Sequence, residues 1–540
     1  MKAGLPKIII YFLVTAVPVC FSGCDESKKE TATSRSEMQS SAEEIKSGTK
    51  IGDIADVYMP DYILVQSYSI VGELAGTGSA DCPPRIRDYL KGYILRYLPS
   101  TDIDKLINGV DTSVVIVEGL VPTTGKGAMF DVRVAVPGGA QTSSLEHGQL
   151  YGAELRQAGS FGLSTKLLAV AQGPVYIDKI DPVVDETVGY ILGGGYVLDD
   201  YKMIITLKKP DYFAASAIRN RIIERFGEKS ANAISASQVE LKIPRKYARR
   251  KNHFIAVLKA TYLNLTKQDK EQVIADLISQ LSGSGNRDAA EISLEALGRD
   301  AVGELRKLLD SDDYDTCFRA ARTLLVLDSD AGLNILRAAA FDSTSPRRTE
   351  AIEAISSYAE RGDAVALCRR LLSDEDVNIM LAAYEQLLRM NDISVSEELV
   401  GRNFVLESVP LGGTKLIYVT RSGRPRIAIF GGPINCNNNL FVQSADGNIT
   451  LNSPAGDSSV TVIRRIPGKE VLGPVSLKTS GDLSDIIRLL GNEPKKVNPN
   501  EEIGFGAGYS EIIALLDEMV KKSAVDAQFI AGPKPQISLK

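Results

Sequence analysis

The chain has 540 residues, 44% hydrophobic and 24% charged, with a formal net charge of -6. At ~100–200 residues per domain this means several domains, and the composition is neither that of a disordered chain nor of a polytopic membrane protein. Weak acidity argues against a large nucleic-acid surface. There are only two histidines, His147 and His253, and no tryptophan. That excludes a three-histidine metal site and leaves the usual general base near neutral pH scarce, so the chain reads as a non-enzyme without a cofactor.

Lys2 and Lys7 precede the apolar run Ile8 to Phe21. It is short for a membrane span, which needs ~20 residues, and suits a signal-peptide core. Ser22-Gly23 before Cys24 resembles a bacterial lipobox, with cleavage before Cys24 and lipid on its thiol. An ordinary secretory signal with an incidental cysteine is the alternative. Residues 24–50 are rich in Ser, Thr, Glu and Lys and poor in large apolar groups, the composition of a flexible tether. The expectation is a signal over 1–23 and a periplasmic, lipid-anchored chain, with inner or outer membrane left open. Beyond the anchor stand Cys82, Cys317, Cys368 and Cys436, widely separated and without a CxxC pair. Export permits disulfides, but spacing assigns no pairing. Cys317 and Cys368 fall on helical apolar stripes and read as small core residues.

Residues 51–265 mix strands and helices. A strand runs from Ile63 toward Val71, and Ser113 to Val117 is a buried apolar run. Phe130, Val132, Val134 and Val136 alternate with Asp131, Arg133 and Ala135, the period of a half-buried strand. A further strand is expected over Lys166 to Ile177, broken at Gly173-Pro174. A β-α-β sequence follows: strand Met203 to Leu207, Pro210 in the turn, Asp211 as helix N-cap, an amphipathic helix Tyr212 to Phe226, Gly227 as the stop, and a strand from Val239 to Pro244. The basic run Arg245 to Lys251 reads as a solvated loop rather than an anion or partner site.

These residues resemble the flagellar basal-body P-ring protein family. The resemblance is carried by Ile51-Gly52-Asp53-Ile54-Ala55, by Ile70 to Gly78 (IVGELAGTG), and by Phe130-Asp131-Val132-Arg133-Val134 followed by Ser143-Ser144-Leu145-Glu146-His147-Gly148. Ala169-Val170-Ala171-Gln172-Gly173 and Pro210-Asp211-Tyr212-Phe213 with the strand ending in Pro244 complete it. Gly72, Gly76, Thr77, Gly78, Asp131, Gln172 and Gly173 are the positions through which the family motifs are matched.

Residues 266–392 change character: Ala, Leu, Arg, Asp and Glu dominate. Glu304 to Asp312 recurs loosely at Ile335 to Ser343 and Leu367 to Asp376, a period of about 31 residues. Ala289 to Leu297, Cys317 to Leu327, Ala351 to Tyr358 and Leu381 to Leu388 are the alternating helices. This resembles HEAT-type repeats, with an irregular α-bundle as the alternative. Residues 393–540 return to strands at Ile417 to Val419, Arg426 to Phe430, Leu440 to Val442 and Val460 to Ile463, with an Asp446-Gly447 hairpin turn before Ile449 to Leu451. Helices follow at Leu483 to Leu490 and Glu511 to Lys521. Arg421-Ser422-Gly423, the segment from Leu483 and the final helix leading to Val525-Asp526-Ala527-Gln528 resemble the P-ring family more loosely. The expected fold class is α+β multidomain: mixed β/α P-ring-like regions (51–265 and 393–540) interrupted by an all-α HEAT-like solenoid (266–392).

No catalytic motif is found. Gly119 to Gly127 (GLVPTTGKG) has one residue too many for a phosphate loop, and Gly127 stands where a Ser or Thr is needed. Gly193-Gly194-Gly195 and Gly504 to Gly508 miss the dinucleotide spacing and read as flexible turns. His147 and His253 read as structural or exposed.

The resemblance implies a structural protomer of a periplasmic flagellar ring around the rod, beside an outer-membrane L-ring, with other copies of itself, rod and L-ring proteins as partners. A ring needs a heterologous interface that closes. Candidate surfaces are 203–244, with Asp211, Tyr212, Phe213, Arg219 and Arg221, and the opening segment 51–78. The alternative is a lipid-anchored envelope adaptor, not flagellar, whose repeats 266–392 bind an unknown protein partner.

Overall fold

The computed structural model describes residues 45–79, 81–97, 107, 109–123, 125–159, 166–199, 201–248, 250–457, 459–465, 474–494 and 504–537. The signal, Cys24 and most of the tether lie outside the described residues. Among the described residues every helix and strand lies between Ser47 and Lys540.

A short helix α1 (Ile51–Ile54) and strand β1 (Ala55–Tyr58) lead into alternating strands that close on themselves. These are β2 (Tyr62–Gly72), β3 (Ser113–Pro122), β4 (Met129–Ala135), β5 (Gln149–Gln157), β6 (Ala169–Pro174) and β7 (Val188–Val197), a barrel in the order β2-β3-β4-β7-β6-β5. Every second residue points inward, so Val65, Val117, Val132, Val134 and Leu155 fill the interior. Closure leaves the barrel no unpaired edge. Helix α2 (Pro84–Tyr97) covers one outer wall, packing Leu90 and Ile94 against Ile70 and Val114. The run expected to end at Val117 continues to Pro122, and the strand expected over 166–177 is confined to Ala169–Pro174.

Gly193-Gly194-Gly195 is not a turn but part of β7. A Cβ on Gly194 would lie 2.2 Å from Ile191 Cγ2, and one on Gly195 2.6 Å from the Phe130 ring. The glycines make room for Phe130, where the β4–β7 register shifts.

The chain then forms β8 (Met203–Leu207), α3 (Tyr212–Phe226), β9 (Ala231–Ala233) and β10 (Gln238–Leu241). With β1 they make a four-stranded antiparallel sheet, β1-β8-β10-β9. The returning strand is antiparallel to β8 because the β9–β10 hairpin reverses the chain after α3. Helix α3 buries Ala214, Ala215, Ile218 and Ile222.

The basic run is no solvated loop. Tyr247 and Lys251 are buried. Lys251 Nζ donates to Pro60 O (2.6 Å) and Thr123 Oγ1 (3.0 Å) and pairs with Asp61 (2.9 Å). Arg250 reaches Tyr358 (3.2 Å) and Glu353 (3.2 Å). The reason is α4 (Lys251–Ala260): burying its apolar face, Phe254, Val257 and Leu258, draws the lysine inward, where three oxygens replace its water.

Helices continue as α5 (Lys267–Ser282), α6 (Arg287–Leu297), α7 (Val302–Lys307), α8 (Tyr314–Val326), α9 (Leu333–Phe341), α10 (Arg348–Tyr358), α11 (Arg361–Leu371) and α12 (Val377–Arg389). Of these, α6, α8, α10 and α12 pack each on the next. The recurring polar turns are caps: Thr266, Asn286, Asp313 and Asp376 each accept a hydrogen bond from a first-turn N–H.

The last region holds two sheets. Strands β11 (Ser396–Val400), β12 (Phe404–Val409), β13 (Leu416–Val419) and β14 (Arg426–Phe430) join the final strand in the first. Strands β15 (Leu440–Gln443), β16 (Ile449–Ser453), β17 (Ser459–Arg464) and β18 (Val475–Ser480) form the second, antiparallel and in sequence order. Helices α13 (Leu483–Gly491) and α14 (Tyr509–Lys521) precede β19 (Gln528–Ala531), which completes the order β11-β12-β14-β13-β19. One face of that five-stranded sheet shares a core with α13, α14 and the second sheet, through Phe404, Ile427, Leu451, Ile486 and Ile512. Its other face, with Val409, Leu416, Ala428 and Phe430, shares a core with Leu367, Leu371, Tyr384 and Leu387 of the helical block. Cys82, Cys317, Cys368 and Cys436 are free thiols.

Candidate assembly surface and barrel clasp

The motif after β2 forms a strap across one barrel end. Gly76 N donates to Asp111 Oδ1 (3.1 Å), and Gly78 N to Val110 O (2.8 Å). Thr77 Oγ1 donates to Ser144 O (2.8 Å), while Thr77 O accepts from Ser143 N (2.9 Å). The 70–78 and 143–148 motifs are therefore two sides of one junction. Gly72 lies under the Tyr151 ring, where a Cβ would sit 2.3 Å from a ring carbon. Gln172 is exposed, and Gly173 faces Ile191.

Asp131 does more than occupy a polar strand position. Its Oδ1 accepts from Gly193 N (2.7 Å), and both its oxygens accept from Gly423 N (2.9 Å each). A carboxylate with these acceptor contacts satisfies N–H groups of the β7 bulge and of the Arg421-Ser422-Gly423 loop together. Arg421 reinforces the clasp: Nε donates to Gly532 O (2.7 Å), and NH1 approaches Asp178 (3.3 Å) and Asp181 (3.5 Å). Lys534 also pairs with Asp181. Sequence reasoning singles out Asp131 and Arg421-Ser422-Gly423 separately and misses that they meet. The available signal is an acidic residue inside an alternating strand and a glycine loop in the C-terminal region.

Of the candidate contact residues, Asp211, Tyr212 and Phe213 lie at the start of α3, and Arg219 and Arg221 in its middle. Asp211 caps the helix, accepting from Phe213 N (2.7 Å) and Ala214 N (3.3 Å), and its own N–H bonds Ala236 O of the β9–β10 hairpin. Tyr212 and Phe213 project outward, 75% and 55% exposed, and Ile234 on that hairpin is exposed too. Arg219 bonds Asn220 (2.8 Å). Arg221 turns to Tyr262 O (3.0 Å) and Glu224 (2.8 Å), holding α3 to the chain after α4. A second exposed apolar surface lies on the barrel's outer wall, a groove of about 710 Å³ between α2 and strands β5 to β7. Tyr93, Met129, Tyr151 and Tyr196 line it, over the Gly193–Gly195 backbone.

His147 rests 3.8 Å from Glu511, and His253 Nε2 lies 2.7 Å from Glu295. Glu295 also accepts from Tyr247 (2.7 Å). Burial pushes the Glu295 carboxyl up, but His253 and Tyr247 outweigh it and hold it below the ordinary range. Among the described residues no group of three or more His, Cys, Asp or Glu is placed to hold a metal ion. No described helix is long and apolar enough to cross a membrane.

Residues 50–280 match the family model described as Flagellar P-ring protein. The stretch takes in the barrel, the four-stranded sheet, α3 and α4. The chain is 29% identical over 219 residues to the Flagellar P-ring protein of Aquifex aeolicus (strain VF5), covering 37% of this chain and 58% of the relative. It is 28% identical over 211 residues to that of Pseudothermotoga lettingae, covering 36% and 61%. Against that of Anaeromyxobacter sp. (strain K) it is 26% identical over 250 residues, covering 44% and 64%. The chain spans about three-fifths of the length of these curated relatives. The P-ring resemblance read from the motifs is borne out over this region.

Proposed function

We propose that this chain, whose residues 50–280 match the flagellar P-ring family model, is a structural protomer of a periplasmic ring of P-ring type around the flagellar rod. The observation that carries the reading is the family match over the barrel and the sheet with α3. Self-association is head to tail, which requires two unlike surfaces on each copy. The exposed Tyr212 and Phe213 edge and the apolar groove on the barrel wall supply surfaces of that kind. Rod and L-ring proteins are its neighbours in the basal body, and its role is assembly rather than catalysis.

Two further parts belong to this reading. Lipid on Cys24 tethers the chain to a membrane. The helical block is a HEAT-like array that takes a protein partner, the feature by which this protomer differs from a plain ring subunit. The test is imaging of the full-length protein, extracted in detergent, by cryo-electron microscopy. Cyclic particles are expected, and Phe213→Asp should leave the protomer folded but reduce closed rings at least tenfold. Monomers only, with no ring density for this chain in native basal bodies, would refute the proposal.

A further inference from the structure

The helical block and the five-stranded sheet meet around one buried carboxyl. Glu407, on β12, is fully buried. Tyr384 of α12 donates its hydroxyl to Glu407 Oε2. The other oxygen, Oε1, is buried without a hydrogen-bond partner. Facing it at 4.0 Å is Arg426 Nε on β14, itself buried and unbonded. That gap is too long for a hydrogen bond. The Arg426 guanidinium is instead committed to α12, where NH2 donates to Glu385 Oε1 (3.0 Å). The groups that face this carboxyl are Tyr384 and Glu385 from α12, Tyr418 from β13, Arg426 from β14 and Glu397 from β11.

An ionised carboxylate here keeps one buried oxygen without a protein donor, which is costly, whereas the neutral acid avoids that cost. We propose that Glu407 is a proton-operated latch: protonated, it lets α12 seat on β12 and β14, and ionised, it loosens that seat. Geometry and titration agree. Burial pushes Glu407 up to about 7, against the opposing pull of Tyr384 and Arg426. The closed joint binds more protons than the opened one, so its stability is full below the ordinary value of 4.5 and is lost as pH rises through about 7.

The test is hydrogen exchange on the full chain at pH 5.5 and 8, referenced to intrinsic rates and to the barrel strands. Protection of amides in 379–388, 405–409 and 426–430 should fall by roughly tenfold to a hundredfold at the higher pH. Glu407→Gln should hold these segments protected at both pH values. An unchanged ratio in the wild type, or the same pH response in the glutamine variant, overturns the latch. Isotope-edited infrared spectroscopy of the unsubstituted protein serves if that variant does not fold. A protonated-carboxyl band titrating near neutrality is expected, and full ionisation of Glu407 by pH 5.5 overturns it.

Discussion

The glycines of the strap after β2 answer to different constraints. Gly76 has φ +80° and open space around it, so only backbone conformation demands glycine there. Gly78 has no such φ, but a Cβ would sit 2.4 Å from the carbonyl oxygen of Thr112, a backbone atom with little freedom to move. Gly76→Asn should therefore be nearly neutral, because asparagine tolerates the left-handed region. Gly78→Ala should lower stability by about 1–3 kcal/mol through overpacking. Urea unfolding of both variants checks this, and equal losses would refute it. Asp131 marks how far single residues are legible. One carboxylate in a period-two strand reads as the solvent side. The two N–H groups it collects lie 62 and 292 residues further along the chain, and no local pattern encodes such distances.

Among elements, capped amphipathic helices and antiparallel strands are the most readable. Asp211 before Tyr212–Phe226 and the strand Arg426–Phe430 follow from local residue types. Strands β1, β5, β7, β9, β11, β12, β18 and β19 are absent from the sequence reading. β12 pairs in parallel with β14 and is covered on both faces, so it has no polar alternation and even carries a glutamate inside. The helical elements also depend on charge. The carboxyl of Asp392 is held down at about 2, first by two bonds from Arg369 at 2.9 Å, then by Ser394, with burial opposing. Burial raises Asp315, yet Arg319, Arg287 and Arg347 bring it to about 2. Both pKa values are depressed on folding, so their stabilisation is full above the ordinary 3.8 and is lost as pH falls toward 2. Circular dichroism should show the block weakening between about pH 4 and pH 2. Asp392→Asn should start less stable and respond less steeply. This acid window is separate from, and opposite in sign to, the near-neutral one of Glu407.

At the scale of the whole molecule, the helical block is not an ornament between the barrel region and the C-terminal sheets. It supplies one side of the core of the five-stranded sheet, over Val409, Leu416, Ala428 and Phe430. Deleting 266–392 would bare that face, and a large exposed apolar patch promotes association. The shortened chain should therefore aggregate in size-exclusion chromatography; a folded, monodisperse product would show the block to be dispensable. The contact between block and sheet is hidden from sequence because the apolar residues that join them serve two layers at once. The Asp131–Gly423 clasp adds a consequence in time. A chain that begins folding from its N-terminus completes all six barrel strands by Val197, while the glycine that locks them is still 226 residues from being made. The barrel waits with Asp131 open until the helical block and the chain as far as Gly423 have been made, so closing the clasp reports that synthesis has passed the block.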